Sequence, residues 1–125
     1  MDNRSTNSKT DYASENSTNC LNDLYRILPA VAERYETSEL DILYDKVRPC
    51  VCMKFLIGLY LFNKGHRHRS IGNAINADRT HVYYIIERAT DIMKSHDQYY
   101  DHMKECMKLA LGDVGEPWDI MKKFI

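Results

Sequence analysis

The chain has 125 residues, enough for one domain with a substantial core but with little room for a second. Its formal net charge is −1, and this total alone argues against a nucleic-acid partner. The distribution along the chain reverses that conclusion. Residues 1–45 hold four basic and nine acidic side chains, residues 46–90 hold eight and two, and residues 91–125 hold five and seven. The middle third therefore has the positive field that attracts phosphates, and a solvated basic face is the alternative interpretation.

Cysteine usage and hydropathy point to a reducing, soluble, cytoplasmic setting. The four cysteines show no disulfide framework, and Cys50 and Cys52 lie in an apolar run where they are most simply small buried residues. Residues 1–19 are polar and lack the apolar centre of a signal peptide. The run Cys50–Phe62 is too short to span a bilayer and contains Lys54, so no membrane partner is expected.

The first third of the chain predicts a disordered tail followed by an interrupted helix. Residues 1–18 have no periodic apolar pattern that would offset the entropy of ordering them. A helix is expected to begin with Thr18 or Asn19 as its N-cap. Pro29 lacks an amide hydrogen, so we expect a break there and a restart over residues 29–35.

A capping signal and a proline mark the next two elements. Ser38–Asp41 is a capping box and predicts a helix of one or two turns. Lys46–Pro49 is a basic connector, in which Pro49 is expected to hold Arg48 extended rather than helical. The run Cys50–Phe62 is apolar nearly all round and predicts the central buried helix.

The segment after this run has the pattern of a helix, a tight turn and a second helix. Lys64–Arg69 predicts a basic loop, in which the histidines can add positive charge. Apolar residues at helical spacing then give each helix one buried face across residues 70–86. Gly72 would let the two helices cross closely, and Asp78 would cap the second, which is expected to end near Lys94. An ordinary helical hairpin is the alternative.

The C-terminal third of the sequence predicts one more helix, followed by a tail whose role the pattern leaves open. Asp97 is expected to cap a helix that ends at Gly112. The tail, residues 113–125, holds three apolar side chains that can pack back or meet a partner, Trp118, Met121 and Phe124. No strand pattern or repeat occurs, so the fold is expected to be all-α, with one helical domain over residues 19–112.

The sequence gives little support for catalysis or a metal site. Nucleotide-binding and common hydrolase motifs do not occur, so neither an enzyme nor a cofactor is expected. The cysteines of Cys50-Val51-Cys52 lack the usual zinc-ligand spacing, and the arginines beside His66 and His68 would repel a cation. Of the adjacent tyrosines in the second helix of the turn motif, we expect Tyr84 to pack at the core edge. Tyr83 is then expected on the exposed side of the same helix.

Three blocks resemble the C-terminal DNA-binding domain of the bacterial replication initiator DnaA and its stand-alone relatives in phages and mobile elements. Residues 31–43 are similar to the family's first two helices, and Lys46 and Arg48 fall in its basic loop. Ile71-Gly72 and residues 76–82 look like its helix-turn-helix, where the family signature runs Asp-His-Ser/Thr-Thr-Val. The resemblance implies a compact, Trp-repressor-like, all-helical domain that binds double-stranded DNA. It does not imply origin firing, because the ATPase portion is absent from this chain.

Two departures from the family signature limit what the resemblance carries. Arg79 stands where the family has His, and His81 stands where it has Thr, so the family's base preference is not carried over.

The residues expected to contact DNA divide by role. Phosphates would be held by Lys46, Arg48, Lys64, Arg67 and Arg69, which position a protein without reading sequence. The major-groove edge would be met by Asp78, Arg79, Thr80 and His81, with Tyr83 beside them. Arg48 could also enter a narrow A·T minor groove.

The expected function is sequence-specific DNA binding in replication or transcription control. The alternative is a helical protein-interaction adaptor with a basic face that binds no DNA. A homodimer and a replication or transcription protein as partner both stay open.

Overall fold

The computed structural model describes residues 4–122, with side chains from residue 17 onward. Over these residues the chain is all-α, as predicted. The elements are α1 (Arg4–Arg34), α2 (Glu39–Tyr44), α3 (Arg48–Asn63), α4 (His68–Ile75), α5 (Arg79–Lys94), α6 (Gln98–Asp113) and a 3₁₀ helix (Trp118–Lys122).

The first helix corrects two predictions. It begins at Arg4 rather than near Thr18 or Asn19, so residues 4–18, expected in a disordered tail, are helical; residues 1–3 lie outside the described part. It also continues through Pro29, where a break was expected. Pro29 is exposed, and its missing amide removes one helical hydrogen bond, the one to the Tyr25 carbonyl. Buried Leu28 and Val31 hold the helix against the core on both sides of the proline.

The short second helix starts as predicted, whereas the start of α3 differs from the prediction. The Ser38 hydroxyl accepts a hydrogen bond from the Asp41 backbone N–H at 3.0 Å, which confirms the cap. Helix α3 begins at Arg48, so the expectation that Pro49 holds Arg48 extended is wrong. Pro49 lies in the first turn, where its missing N–H has no helical acceptor to lose. The rest of α3 is mostly buried, as its apolar run predicts.

A short turn with one left-handed residue joins α4 to α5. Asn76 ends α4 with a φ of 61°, and the Ala77 N–H donates to the Gly72 carbonyl at 2.8 Å. The turn passes so close to Gly72 that a Cβ added there would lie 2.4 Å from the Ala77 carbonyl oxygen. Asp78 occupies the N-cap position of α5, but its side chain accepts no capping hydrogen bond. The turn and α5 therefore lie where the apolar spacing placed them, whereas α4 begins at His68, so His68 and Arg69, predicted in the basic loop, are helical.

The C-terminal residues belong to the core more than the sequence suggested. Asp97 caps α6 through a 2.9 Å hydrogen bond from the Tyr99 N–H, and α6 ends at Asp113, one residue beyond the predicted end. The 3₁₀ helix then packs against the domain, because Met121 is fully buried and the Asn63 amide donates to the Ile120 carbonyl. Phe124 lies outside the described residues, so its packing or partner contact stays a prediction.

The structure also bears on the predictions made for the cysteines and for membrane-spanning helices. The four cysteines are free and buried, as expected for Cys50 and Cys52. Burial is the main cause that raises the pKa of all four thiols, and it raises the pKa of Cys20 to about 12. Across residues 4–122, none of the helices has the length and apolar character needed to cross a bilayer.

Candidate nucleic-acid interface

Three of the predicted basic residues meet at the beginnings of α4 and α5. Arg67 is the N-cap of α4, Arg69 lies in its first turn, and Arg79 is the first residue of α5. They share one groove of about 400 Å³, which we call the arginine groove. Its lining consists of Ser17, Arg67, His68, Arg69, Ser70, Arg79 and Tyr83.

An aromatic stack fixes the two helix starts relative to each other in the arginine groove. The centroids of the His68 and Tyr83 rings lie 3.9 Å apart at an interplanar angle of 17°. The stacked faces of these two rings therefore join α4 to α5. Among the described residues, no carboxylate lines the groove. The first backbone N–H groups of a helix also carry partial positive charge. The groove thus brings three guanidinium groups together where two helices begin, an arrangement suited to an anion.

A second groove lies at the turn, on another side of the α5 start. It has a volume of about 450 Å³ and is lined by Gly72, Asn73, Asn76, Ala77, Asp78 and His81. His81 stacks on Tyr84 at 5.3 Å and meets the edge of Phe55 at 6.4 Å. The structure therefore separates His81 from Arg79, although both lie in the first turn of α5.

The outer face of α5 carries an exposed ridge between the two grooves. Its members lie opposite the buried Val82 and Ile85 at helical spacing and are Thr80, Tyr83, Tyr84 and Glu87. The expectation for Tyr84 holds only in part. Its ring contacts the partly buried Phe55 at 6.0 Å, yet 48% of its surface is exposed. The sequence held a signal for this exposure. Because Val82 and Ile85 mark the buried face of α5, helical spacing places Tyr84 on the opposite, exposed face.

Two predicted phosphate contacts are engaged elsewhere on the protein. The Lys64 ammonium lies 3.3 Å from a Glu116 carboxylate oxygen that also pairs with Arg26. Arg48 donates to the Tyr100 hydroxyl at 3.2 Å and lies over the Tyr99 ring at 4.9 Å. The hydrogen bond to Tyr100 is the main cause that raises the pKa of Arg48. Neither residue lines the arginine groove.

Two further predicted contributors lie apart from the arginine groove. Lys46 is exposed in the connection between α2 and α3. His66, expected to add charge in a basic loop, instead has its Nε2 atom 2.5 Å from a carboxylate oxygen of Asp23 on α1. This largely buried pair ties the loop before α4 to the first helix.

Sequence reasoning missed the structural role of Lys54. Its ammonium donates to the Leu43 carbonyl at 3.2 Å and to the Asn76 carbonyl at 3.5 Å. Partial burial lowers the pKa of Lys54. The side chain thereby links the end of α2 to the turn that precedes α5. A lone lysine in an apolar run carried no signal for this role, because both acceptors are backbone atoms distant in sequence.

Metal and family comparisons add no assignment to the site. Within residues 4–122, no group of three or more His, Cys, Asp or Glu side chains is placed to hold a metal ion. The chain matches no protein-family model, no curated protein and no solved structure. The likeness to the DnaA DNA-binding domain therefore rests on the sequence blocks themselves and remains a hypothesis.

Proposed function

We propose that this chain binds double-stranded DNA sequence-specifically, with α5 as the recognition helix, Arg67 and Arg69 of the arginine groove on the DNA backbone, and Arg79, at the start of α5, facing a base. The observation that carries the proposal is the convergence of Arg67, Arg69 and Arg79, from two helices, on one groove that no described carboxylate lines. Guanidinium groups bind phosphate through paired hydrogen bonds, and nearby helix N-termini add backbone donors. This arrangement suits a phosphodiester better than an apolar ligand.

The exposed start of α5 supplies the side chains for reading bases. A recognition helix meets base edges with the residues of its first turns, and Arg79, Thr80 and His81 occupy that position here. The Arg79 guanidinium can donate two hydrogen bonds to O6 and N7 of guanine, worth about 1–3 kcal/mol of discrimination. The exposed ring of Tyr84 adds a surface that can contact a thymine methyl group or a sugar.

Other residues hold this surface in place. Gly72 lets the turn pass against α4, and Lys54 binds the carbonyl of the turn residue Asn76. Arg48 has no minor-groove role in this proposal, because it is helical and hydrogen-bonded to Tyr100. Lys46 stays exposed and is proposed as a backbone contact.

The proposed biological role is occupancy of a DNA site in replication or transcription control, the setting implied by the DnaA resemblance. A helical adaptor that uses the same basic face on an acidic protein is the competing function. The two differ in their response to salt, because DNA binding releases condensed counterions from the duplex.

The test is fluorescence anisotropy of the full chain with a labelled duplex pool at two salt concentrations. Three to four phosphate contacts predict an affinity loss of about 40- to 150-fold between about 50 and 200 mM salt. A salt response near zero, or no binding at the lower salt, would overturn DNA binding in favour of the adaptor.

Two substitutions separate holding the backbone from reading bases. Arg67→Ala should weaken binding to all sequences and reduce the salt slope by about 0.9. Arg79→Ala should relax the preference at one base position in sites selected from random duplexes. Lys108→Ala is the control, since Lys108 is an exposed basic residue on α6 and does not line the arginine groove. Equal losses for Lys108→Ala and Arg67→Ala would contradict the proposed interface.

A further inference from the structure

A third groove, which shares no lining residue with the other two, lies between α1 and α2. It has a volume of about 690 Å³ and is lined largely by apolar side chains. Three of the largest exposed hydrophobic residues of the described chain meet in it: Tyr25, Tyr44 and Leu40, which are 58%, 57% and 68% exposed. We call it the α1–α2 groove. Apolar side chains gathered at a concave surface are typical of an interaction site, whereas scattered ones need no explanation.

The charge around the α1–α2 groove is negative. Among the described residues, its charged lining side chains are Glu33 and Glu39. Residues 33–45 hold five acidic side chains and one basic one, Arg34. Arg34 is held by Asp113 through two hydrogen bonds of 2.8 and 2.9 Å, so it does not offset the acidic rim. A ligand of this groove should therefore carry positive charge beside its apolar surface.

Pro29 adds a polar feature to the same surface. Proline has no amide hydrogen, so it cannot donate the helical hydrogen bond to the Tyr25 carbonyl four residues earlier. Tyr25 and Pro29 both line the α1–α2 groove. We infer that this carbonyl can accept a hydrogen bond from a lysine or arginine of a bound segment.

We propose that the α1–α2 groove binds a basic amphipathic helical segment of a partner protein. Its apolar face would lie on Tyr25, Leu40 and Tyr44, and its lysines or arginines would face Glu33 and Glu39. Helices commonly bind in this way, with side chains one turn apart entering a hydrophobic groove. The chain would then link a DNA site to a second protein through two surfaces that share no lining residue.

A second copy of the chain fits the α1–α2 groove poorly. A two-fold symmetric contact would place the same surface of both copies face to face, so Glu33 and Glu39 of each copy would meet. Like charges brought together at an interface are unfavourable. A two-fold symmetric dimer through this groove is therefore unfavourable, and the proposed occupant is a different chain that carries positive charge.

The experiment measures anisotropy of a labelled lysine–leucine peptide, with its leucines on one helical face, against the full chain. The controls are a scrambled peptide of the same composition and a version with glutamate in place of lysine. Leu40→Ala should weaken binding by about tenfold, the effect of losing a central interface side chain. Leu109→Ala, which alters an exposed leucine on α6, should leave it unchanged. Glu39→Gln should weaken binding and reduce its salt dependence.

Other outcomes would overturn the proposal. These are no binding of the lysine peptide at about 100 µM, equal binding of the glutamate peptide, or equal losses for Leu40→Ala and Leu109→Ala. Sedimentation of the chain alone would assign the groove to a second copy if it showed a dimer that Leu40→Ala dissociates.

Duplex affinity is measured on the same variants. If Leu40→Ala weakened DNA and peptide equally, the groove would belong to the DNA interface. If the unaltered chain bound the lysine peptide but not the duplex, only the DNA proposal would be overturned.

Discussion

Replacing Gly72 by alanine tests the close approach that positions α5. The added Cβ would lie 2.4 Å from the Ala77 carbonyl oxygen and 3.3 Å from the Val82 side chain, whereas ordinary contacts begin at 3.4 Å. The turn would have to move by about 1 Å. Such overpacking costs about 1–3 kcal/mol, and the high end applies here because the obstacle is backbone. Alanine recovers about 1 kcal/mol of helix propensity.

These terms predict a net loss of about 1–2 kcal/mol in the free energy of unfolding. For a chain of 125 residues, 1 kcal/mol corresponds to about 4 °C in Tm, so Gly72→Ala should melt about 4–8 °C lower. Urea unfolding followed by the fluorescence of the single tryptophan, Trp118, measures the free energy directly.

Gly112→Ala is the matched control for this substitution. Gly112 is also helical, but a Cβ there would meet nothing within 4 Å. This variant should be more stable by about 0.4–1 kcal/mol, because alanine restricts the unfolded chain. If Gly72→Ala were stabilised as much as Gly112→Ala, the turn would not press on α4 and the reasoning would be refuted. Gly72→Ala should also weaken duplex binding, since the moved turn carries the start of α5.

Three further predictions concern stability and reactivity. Asp113→Asn should lower Tm slightly at neutral pH, since both partners of the Arg34–Asp113 pair are about 40% exposed. The Arg34 hydrogen bonds hold the pKa of Asp113 below its usual value, so this difference should vanish as the pH falls through the lowered pKa; a difference that persists in strong acid would contradict the assignment. The four cysteines should react slowly with a thiol reagent until the chain unfolds, and fast native labelling of Cys20 would count against its burial. Met121→Ala should cost about 2–4 kcal/mol in urea unfolding, whereas an unchanged midpoint would mean that the 3₁₀ helix does not pack on the core.

Most helix boundaries follow from local sequence signals, because caps and apolar spacing act within a few residues. The Ser38 and Asp97 caps place the starts of α2 and α6, since each oxygen accepts from a nearby backbone N–H. The apolar run after Pro49 determined the central buried helix, and apolar spacing placed the ends of α4 and α5.

Local rules were insufficient where contacts from distant parts of the chain decide the conformation. Pro29 was expected to break α1, but buried residues on both sides of it keep the helix continuous. Pro49 was expected to hold Arg48 extended, but the Arg48 side chain pairs with Tyr100 on α6 and lies within α3. At Pro29 tertiary packing on both sides outweighs the local cost of an interior proline, whereas Pro49 lies in the first turn of α3, where proline removes no helical hydrogen bond.

The candidate site shows the same division. Net charge along the sequence located the basic segment, but it could not separate Arg67, Arg69 and Arg79, which share a groove, from Lys64 and Arg48, which do not. That separation depends on where Glu116 and Tyr100 lie in space. Charge is additive along a chain, whereas an anion site requires charges to converge. Only the packing of α4 against α5 brings the three arginines together.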